Sequence, residues 1–93
     1  MVVGVLRVEV RLPGAQSLKD KRSGMQRFKE QLRARFNIAV AEVDPNELWQ
    51  RATVGISSIG ETRAYVEKLL AQVTAWLRET RLVELIRVDE DYF

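Results

Sequence analysis

Val3-Gly4-Val5-Leu6-Arg7-Val8-Glu9-Val10-Arg11-Leu12 alternates in chemistry, with Leu6, Val8, Val10 and Leu12 on one side and Arg7, Glu9 and Arg11 on the other. A period of two is the signature of a strand with one face in a core and the other in water. The strand stops at Leu12-Pro13-Gly14-Ala15, which places Pro and Gly at the second and third positions of a turn. A type II turn is the expectation, because Pro presets the first φ and Gly accepts the positive φ that follows. Beyond the turn, Ser17 and Asp20 resemble a capping box with Asp in place of the usual Glu. Leu18, Met25, Phe28, Leu32 and Phe36 then recur at helical spacing and predict a helix over 18–35. Gly24 weakens that helix by about 1 kcal/mol relative to Ala, so it marks either close backbone packing or nothing.

The remainder follows the same logic. Asn37 to Val43 is short and rich in small and β-branched residues, and Asp44-Pro45-Asn46 after it is a turn signal. Trp49 to Ile59 alternates again, Ala52, Val54 and Ile56 against Arg51, Thr53 and Ser57, which predicts a hairpin between the second and third strands. From Gly60 or Glu61 to about Glu79, residues Tyr65, Val66, Leu69, Leu70, Val73, Trp76 and Leu77 fill a broad helical stripe. Leu82 to Val88 is the last strand, with its facing undecided because Ile86 and Val88 compete with Val83 and Leu85 for the inside. The order βαββαβ predicts an α+β, ferredoxin-like sandwich in one domain spanning 1–93. Both helices should lie on one face of a four-stranded antiparallel sheet. The open face should then carry Arg7, Glu9, Arg11, Trp49, Arg51 and Thr53.

Composition narrows the chemistry. The 93 residues are 46% hydrophobic and 30% charged, a globular composition. A chain of this size buries only about 60 to 65% of its unfolded surface, leaving little room for a deep cleft. It contains no His and no Cys, which removes His bases, thiol nucleophiles, disulfides and the usual zinc and iron–sulfur ligands. No metal or cofactor is expected. Met1 to Leu6 is too short for the apolar core of a signal peptide, and no apolar run is long enough to span a membrane, so a cytoplasmic location without membrane contact is the expectation.

Charge is unevenly placed. The net charge is +2, yet Lys19 to Arg35 holds seven basic residues against Asp20 and Glu30. On a helical wheel Lys19, Arg22, Gln26, Lys29 and Arg33 advance by alternating threes and fours. They form a stripe about 21 Å long at 1.5 Å per residue, enough for several successive phosphates. A solvated helix face with snorkelling stems accounts for the same stripe. The segment Ser17-Leu18-Lys19-Asp20-Lys21-Arg22 places basic residues in the first turns, where the helix dipole is already positive. Ser17, Lys19, Lys21 and Arg22 are therefore candidates for holding a phosphate or sulfate, with Asp20 as local compensation.

Ser17-Leu18-Lys19-Asp20-Lys21-Arg22, Arg35-Phe36-Asn37, Ala41-Glu42 and Leu48-Trp49-Gln50-Arg51-Ala52-Thr53 together resemble the YlxP-like family of small bacterial proteins of unknown function. The resemblance covers essentially the whole chain. It implies a ferredoxin-like fold and brings no catalytic residues. Its members are often encoded beside translation-initiation and ribosome-maturation genes, an association that favours RNA or a ribosomal particle as partner.

Three further expectations complete the reading. Trp49 at a strand start should pin the hairpin, and Arg51 should pair with Glu9 or Glu42 across strands. The open face lacks the aromatic pairs with which RNA-recognition sheets stack bases, since those positions hold Arg7, Glu9, Thr53 and Gly55. An acylphosphatase-like activity is disfavoured because the loop from Leu12 to Ser17 has one Gly and no Arg. The function expected is a non-enzymatic module contacting RNA or a ribonucleoprotein through Ser17, Lys19, Lys21, Arg22, Lys29 and Arg33. The alternative is a homo-oligomeric structural or regulatory domain, such as a homodimer, using Arg7, Trp49 and Arg51 on the open sheet face. The acidic run Asp89-Glu90-Asp91 reads as a solvated tail or a screen for the basic helix.

Overall fold

A computed structural model of the chain describes residues 1–44 and 48–93. The turn expected at Asp44-Pro45-Asn46 thus falls largely outside the described residues. The element order is β1 (Val2–Arg11), α1 (Leu18–Arg35), β2 (Ala39–Val43), β3 (Arg51–Gly60), α2 (Arg63–Glu79) and β4 (Glu84–Tyr92). The four strands are arranged β2-β3-β1-β4, with antiparallel neighbours throughout. This is the α+β ferredoxin-like sandwich expected from the alternation of periods two and 3.6.

Register sorts the sheet into two faces. Val8 lies opposite Val54 and Val88, and Leu6 opposite Ile56, so these positions share one face. Leu6, Val8, Val54 and Ile56 are buried with Met25, Phe28 and Leu32 of α1 and Val66, Leu70, Val73 and Leu77 of α2 in a single cluster, against which the half-buried Val88 packs. α2 lies over β1, β3 and β4, and α1 over β2. Phe28 and Trp76 join the helices, their rings 6.0 Å apart and 23° from parallel, the offset arrangement that aromatic quadrupoles favour. The other face carries Arg7 beside Gly55 and Asp89, and Glu9 beside Thr53 and Arg87.

Gly4 and Gly24 are there for space. A Cβ on Gly4 would lie 2.6 Å from both Leu70 and Val66, and one on Gly24 would lie 2.9 Å from Leu12 Cδ2. The glycine that costs α1 propensity therefore admits Leu12, the residue just after β1, against the helix.

Two local expectations are corrected and one open question is resolved. The Leu12–Ala15 turn is closed by a 3.1 Å hydrogen bond from the Ala15 N–H to the Leu12 carbonyl, but Gly14 does not have positive φ, so it is not the expected type II turn. Positive φ occurs instead at Asp44, at 48°, a conformation that Asp tolerates through its short polar side chain. The competition in β4 ends in a bulge: Arg87 pairs with Glu9 and Leu85 with Val10, leaving Ile86 as an extra residue. Leu85 and Val88 can then both pack on the core while Ile86 stays 44% exposed. Finally, Asp89, Glu90 and Asp91 are not a tail. They belong to β4 and pair with β1 in register, and the backbones of Phe93 and Val3 bond reciprocally beyond them at 2.8 and 2.9 Å.

Candidate nucleic-acid interface

The start of α1 is built from its own side chains. Ser17 is the N-cap: its hydroxyl accepts from the Asp20 N–H at 3.1 Å. Asp20 Oδ2 in turn accepts from the Gln16 N–H at 3.0 Å, so Asp performs a capping-box role one residue further back than Glu usually does. A carboxylate of the chain thus already complements the positive end of the helix.

The structure then divides the basic residues of α1 by what they touch. Lys21 is only 4% exposed, since it falls on the same stripe as Met25, Phe28 and Leu32. Its buried side chain does not share the surface of Lys19 and Arg22, which corrects its assignment to the anion-binding set. Arg33 is exposed, but its guanidinium donates to the Val40 carbonyl at 2.9 Å and so ties α1 to β2. Arg35 lies over the Trp76 ring, 5.8 Å from its centroid, within cation–π range. Lys19, Arg22 and Arg27 are exposed, and Lys29 is half-buried. No ion pair joins any of these four to a carboxylate among the described residues.

The stripe is therefore shorter than its sequence spacing suggests. Gln26 donates to Glu30 at 3.0 Å, which places a carboxylate beside the band. Arg27, which the alternating spacing passed over, lines a shallow groove with Arg22, Ser23, Gln26 and Glu30. It also faces a cavity between the Pro13–Gly14 turn, α1 and the connection before β4, where Arg81 and Asp20 are further lining residues. Arg81 carried no sequence signal, because it sits in a connection with neither helical nor strand period.

The open sheet face is arranged differently. Arg7 is ion-paired with Asp44, Arg51 with Glu9 at 3.5 Å, and Arg87 with Asp89 at 2.9 Å. The Arg51–Glu9 pair is one of the two expected from strand register. Trp49 does not pin the hairpin; it is 53% exposed. Its neighbour Gln50 is tied elsewhere: the Gln50 carbonyl accepts from the Leu12 N–H at 2.8 Å, and the Gln50 side-chain amide donates to the Ala15 carbonyl at 3.2 Å. These bonds fasten the start of β3 to the β1–α1 turn. The opposite end of the face is apolar, where Val5, Ala39 and Ala41 line a shallow depression and Ile59 and Phe93 are exposed.

Tyr92 and Arg63 form a separate cluster. The guanidinium lies 4.5 Å from the Tyr92 ring centroid and is also paired with Glu67. Desolvation, and then the hydrogen bond to Glu90, raises the Tyr92 phenol pKa above its ordinary value. This cluster lies at the end of β4, away from α1's basic face. Among the described residues there is no group of acidic side chains that could hold a metal ion and no helix long and apolar enough to cross a membrane.

Residues 3–90 match a family model described as a protein of unknown function, DUF503. The chain is also 30% identical over 76 residues to an uncharacterized protein, YlxP, of Bacillus subtilis (strain 168), an alignment that covers 82% of this chain and 83% of that protein.

Proposed function

The chain belongs to the DUF503 family, and from that premise we propose that it is a non-enzymatic cytoplasmic module that contacts RNA or a ribonucleoprotein particle through the outer face of α1. The observation that carries this reading is the contrast in ion pairing. Arg7, Arg51 and Arg87 on the sheet are each paired with a carboxylate, whereas Lys19, Arg22, Arg27 and Lys29 on α1 are not paired among the described residues. Phosphates are the counter-charge that such a set fits best, because their spacing along a strand matches basic side chains one helical turn apart.

Four such contacts predict that log affinity for single-stranded RNA falls against log salt with a slope of roughly −2 to −3. Charge reversal at Arg22 and Lys29 should flatten that slope by about half. Filter binding of an unstructured oligonucleotide across a salt series checks this. Failure of the parent chain to bind at low salt, or an unchanged slope in the double variant, removes α1 as an RNA surface.

A second reading, self-association, is favoured by the apolar end of the open face, where Ile59 is 57% and Phe93 74% exposed beside Val5, Ala39 and Ala41. Exposed apolar side chains gathered in one patch mark association surfaces. Light scattering over a concentration series should then report a dimer mass, and a monomer mass up to several hundred micromolar removes this reading.

A further inference from the structure

The groove at the Trp49 end of the open sheet face has a volume of about 610 Å³, within the range of sites that take small organic ligands. Four features meet there. Trp49 and Ile86 line it with 53% and 44% of their surfaces exposed. Ile86 is the extra residue of the β4 bulge, and a bulge is a device for re-aiming one side chain out of the pleat. Arg11 and Arg51, both lining the groove, are directly opposite each other in the β1–β3 register. Like charges in that position are destabilising; Glu84, which also lines the groove, stands opposite Arg11 in the β1–β4 register, and among the described residues the one ion pair made by either arginine is Arg51 with Glu9 at 3.5 Å.

We propose that this groove binds a nucleotide, with the base stacked on Trp49 against Ile86 and the phosphate held between Arg11 and Arg51. An indole face and paired guanidiniums are the two groups that a nucleotide's two ends recognise. An anion between the arginines removes their mutual repulsion. A strand-adding peptide fits less well, because the bulge interrupts the β4 ladder at this point and Asp89, Glu90 and Asp91 line the rest of the strand with negative charge. The inference extends the RNA reading: a base seated at Trp49 gives an otherwise electrostatic contact a grip on one unpaired nucleotide. The two surfaces are neighbours, because Gln50 fastens the Trp49 turn to the turn that opens α1.

Amide and indole N–H shifts of the full chain, titrated with AMP, adenosine and inorganic phosphate, test it. AMP should shift the Trp49 indole, Arg11 and Ile86 saturably, adenosine about tenfold more weakly, and inorganic phosphate should leave the indole unmoved. Trp49→Ala should weaken AMP binding by about 5- to 100-fold, the range that losing one base–aromatic stack produces. Arg11→Gln, a variant that keeps the indole, should weaken AMP far more than adenosine. Charge reversal at Arg22 and Lys29 should leave AMP affinity unchanged. Saturation by AMP with loss in both groove variants, alongside an α1 variant that still binds RNA normally, would keep this site and discard the α1 reading. Overturning results are AMP shifts that do not saturate, AMP affinity indifferent to Trp49→Ala and Arg11→Gln, or groove shifts that appear on concentrating the protein without nucleotide, which would assign the groove to a second copy.

Discussion

The open sheet face and the outer face of α1 carry similar numbers of arginines and lysines but treat them in opposite ways. On the sheet, Arg7, Arg51 and Arg87 each meet a carboxylate, because strand register sets acidic and basic residues side by side on one face. On α1, the helical period sends Asp20 to the cap and Glu30 to Gln26, so Lys19, Arg22, Arg27 and Lys29 face solvent without a partner among the described residues. Net charge would rank the two surfaces by their residue lists. Pairing ranks them by what remains available to an outside anion: four cations on the helix but, on the sheet face among the described residues, Arg11 alone.

The sharpest way to break the contrast is to neutralise the paired arginines instead of the unpaired ones. Arg7→Gln with Arg87→Gln removes two positive charges, as many as a two-residue neutralisation of α1, yet RNA affinity should stay within about twofold in filter binding. A loss comparable to that of the Arg22 and Lys29 reversal, roughly tenfold or more at low salt, would show that pairing does not decide availability. The same double variant should lose less than about 1 kcal/mol per pair in urea unfolding, since these pairs are exposed.

A smaller and purely structural effect separates Arg33 from its neighbours. Arg33→Gln should cost about 1 kcal/mol, read as a fall of several degrees in melting temperature, because a charge-assisted bond to the Val40 carbonyl is lost. RNA affinity should change by less than it does for Lys29→Gln. If Arg33→Gln instead leaves the melt untouched and weakens RNA binding most, Arg33 belongs with the free set. The smallest expected effect is at Gly24→Ala, where a gain of about 1 kcal/mol in helix propensity opposes a Cβ 2.9 Å from Leu12 Cδ2. A melting temperature near the parent's is the outcome; a large rise would mean that Leu12 moves aside at little cost.

Most of the architecture was legible because it rests on local period. Alternation placed β1 and β3 within two residues, and the Ser17 cap with the Leu18-to-Phe36 stripe gave α1 its observed bounds. The β4 facing was not legible, because a bulge breaks the two-residue period that the reading depends on. Nor was the turn type at Gly14, since Gly is compatible with either sign of φ. The site was legible in composition but not in membership. Lys21 lies on the buried stripe by spacing alone, yet its type suggested a surface role. Arg33 and Arg35 stay exposed but are engaged by the Val40 carbonyl and the Trp76 ring, partners distant in sequence or unreadable without the fold. Arg81 gave no signal at all and Gln50 only as part of the family motif, because their roles arise where turns from different parts of the chain converge.

The pairing of β1 with β4 has a consequence for the order in which the molecule is made. The first strand lies between the third and the last, and its register with β4 continues to a bond between Val3 and Phe93. Chain emerging from a ribosome can assemble β1, α1, β2 and β3 into a three-stranded layer, but one flank of β1 stays unsatisfied until β4 arrives. That flank is an open template for the wrong strand, and the contacts that close it have the largest sequence separation in the molecule, hence the slowest kind to form. Folding speed and resistance to misassembly during synthesis should therefore be governed by β4, which follows all the elements it joins.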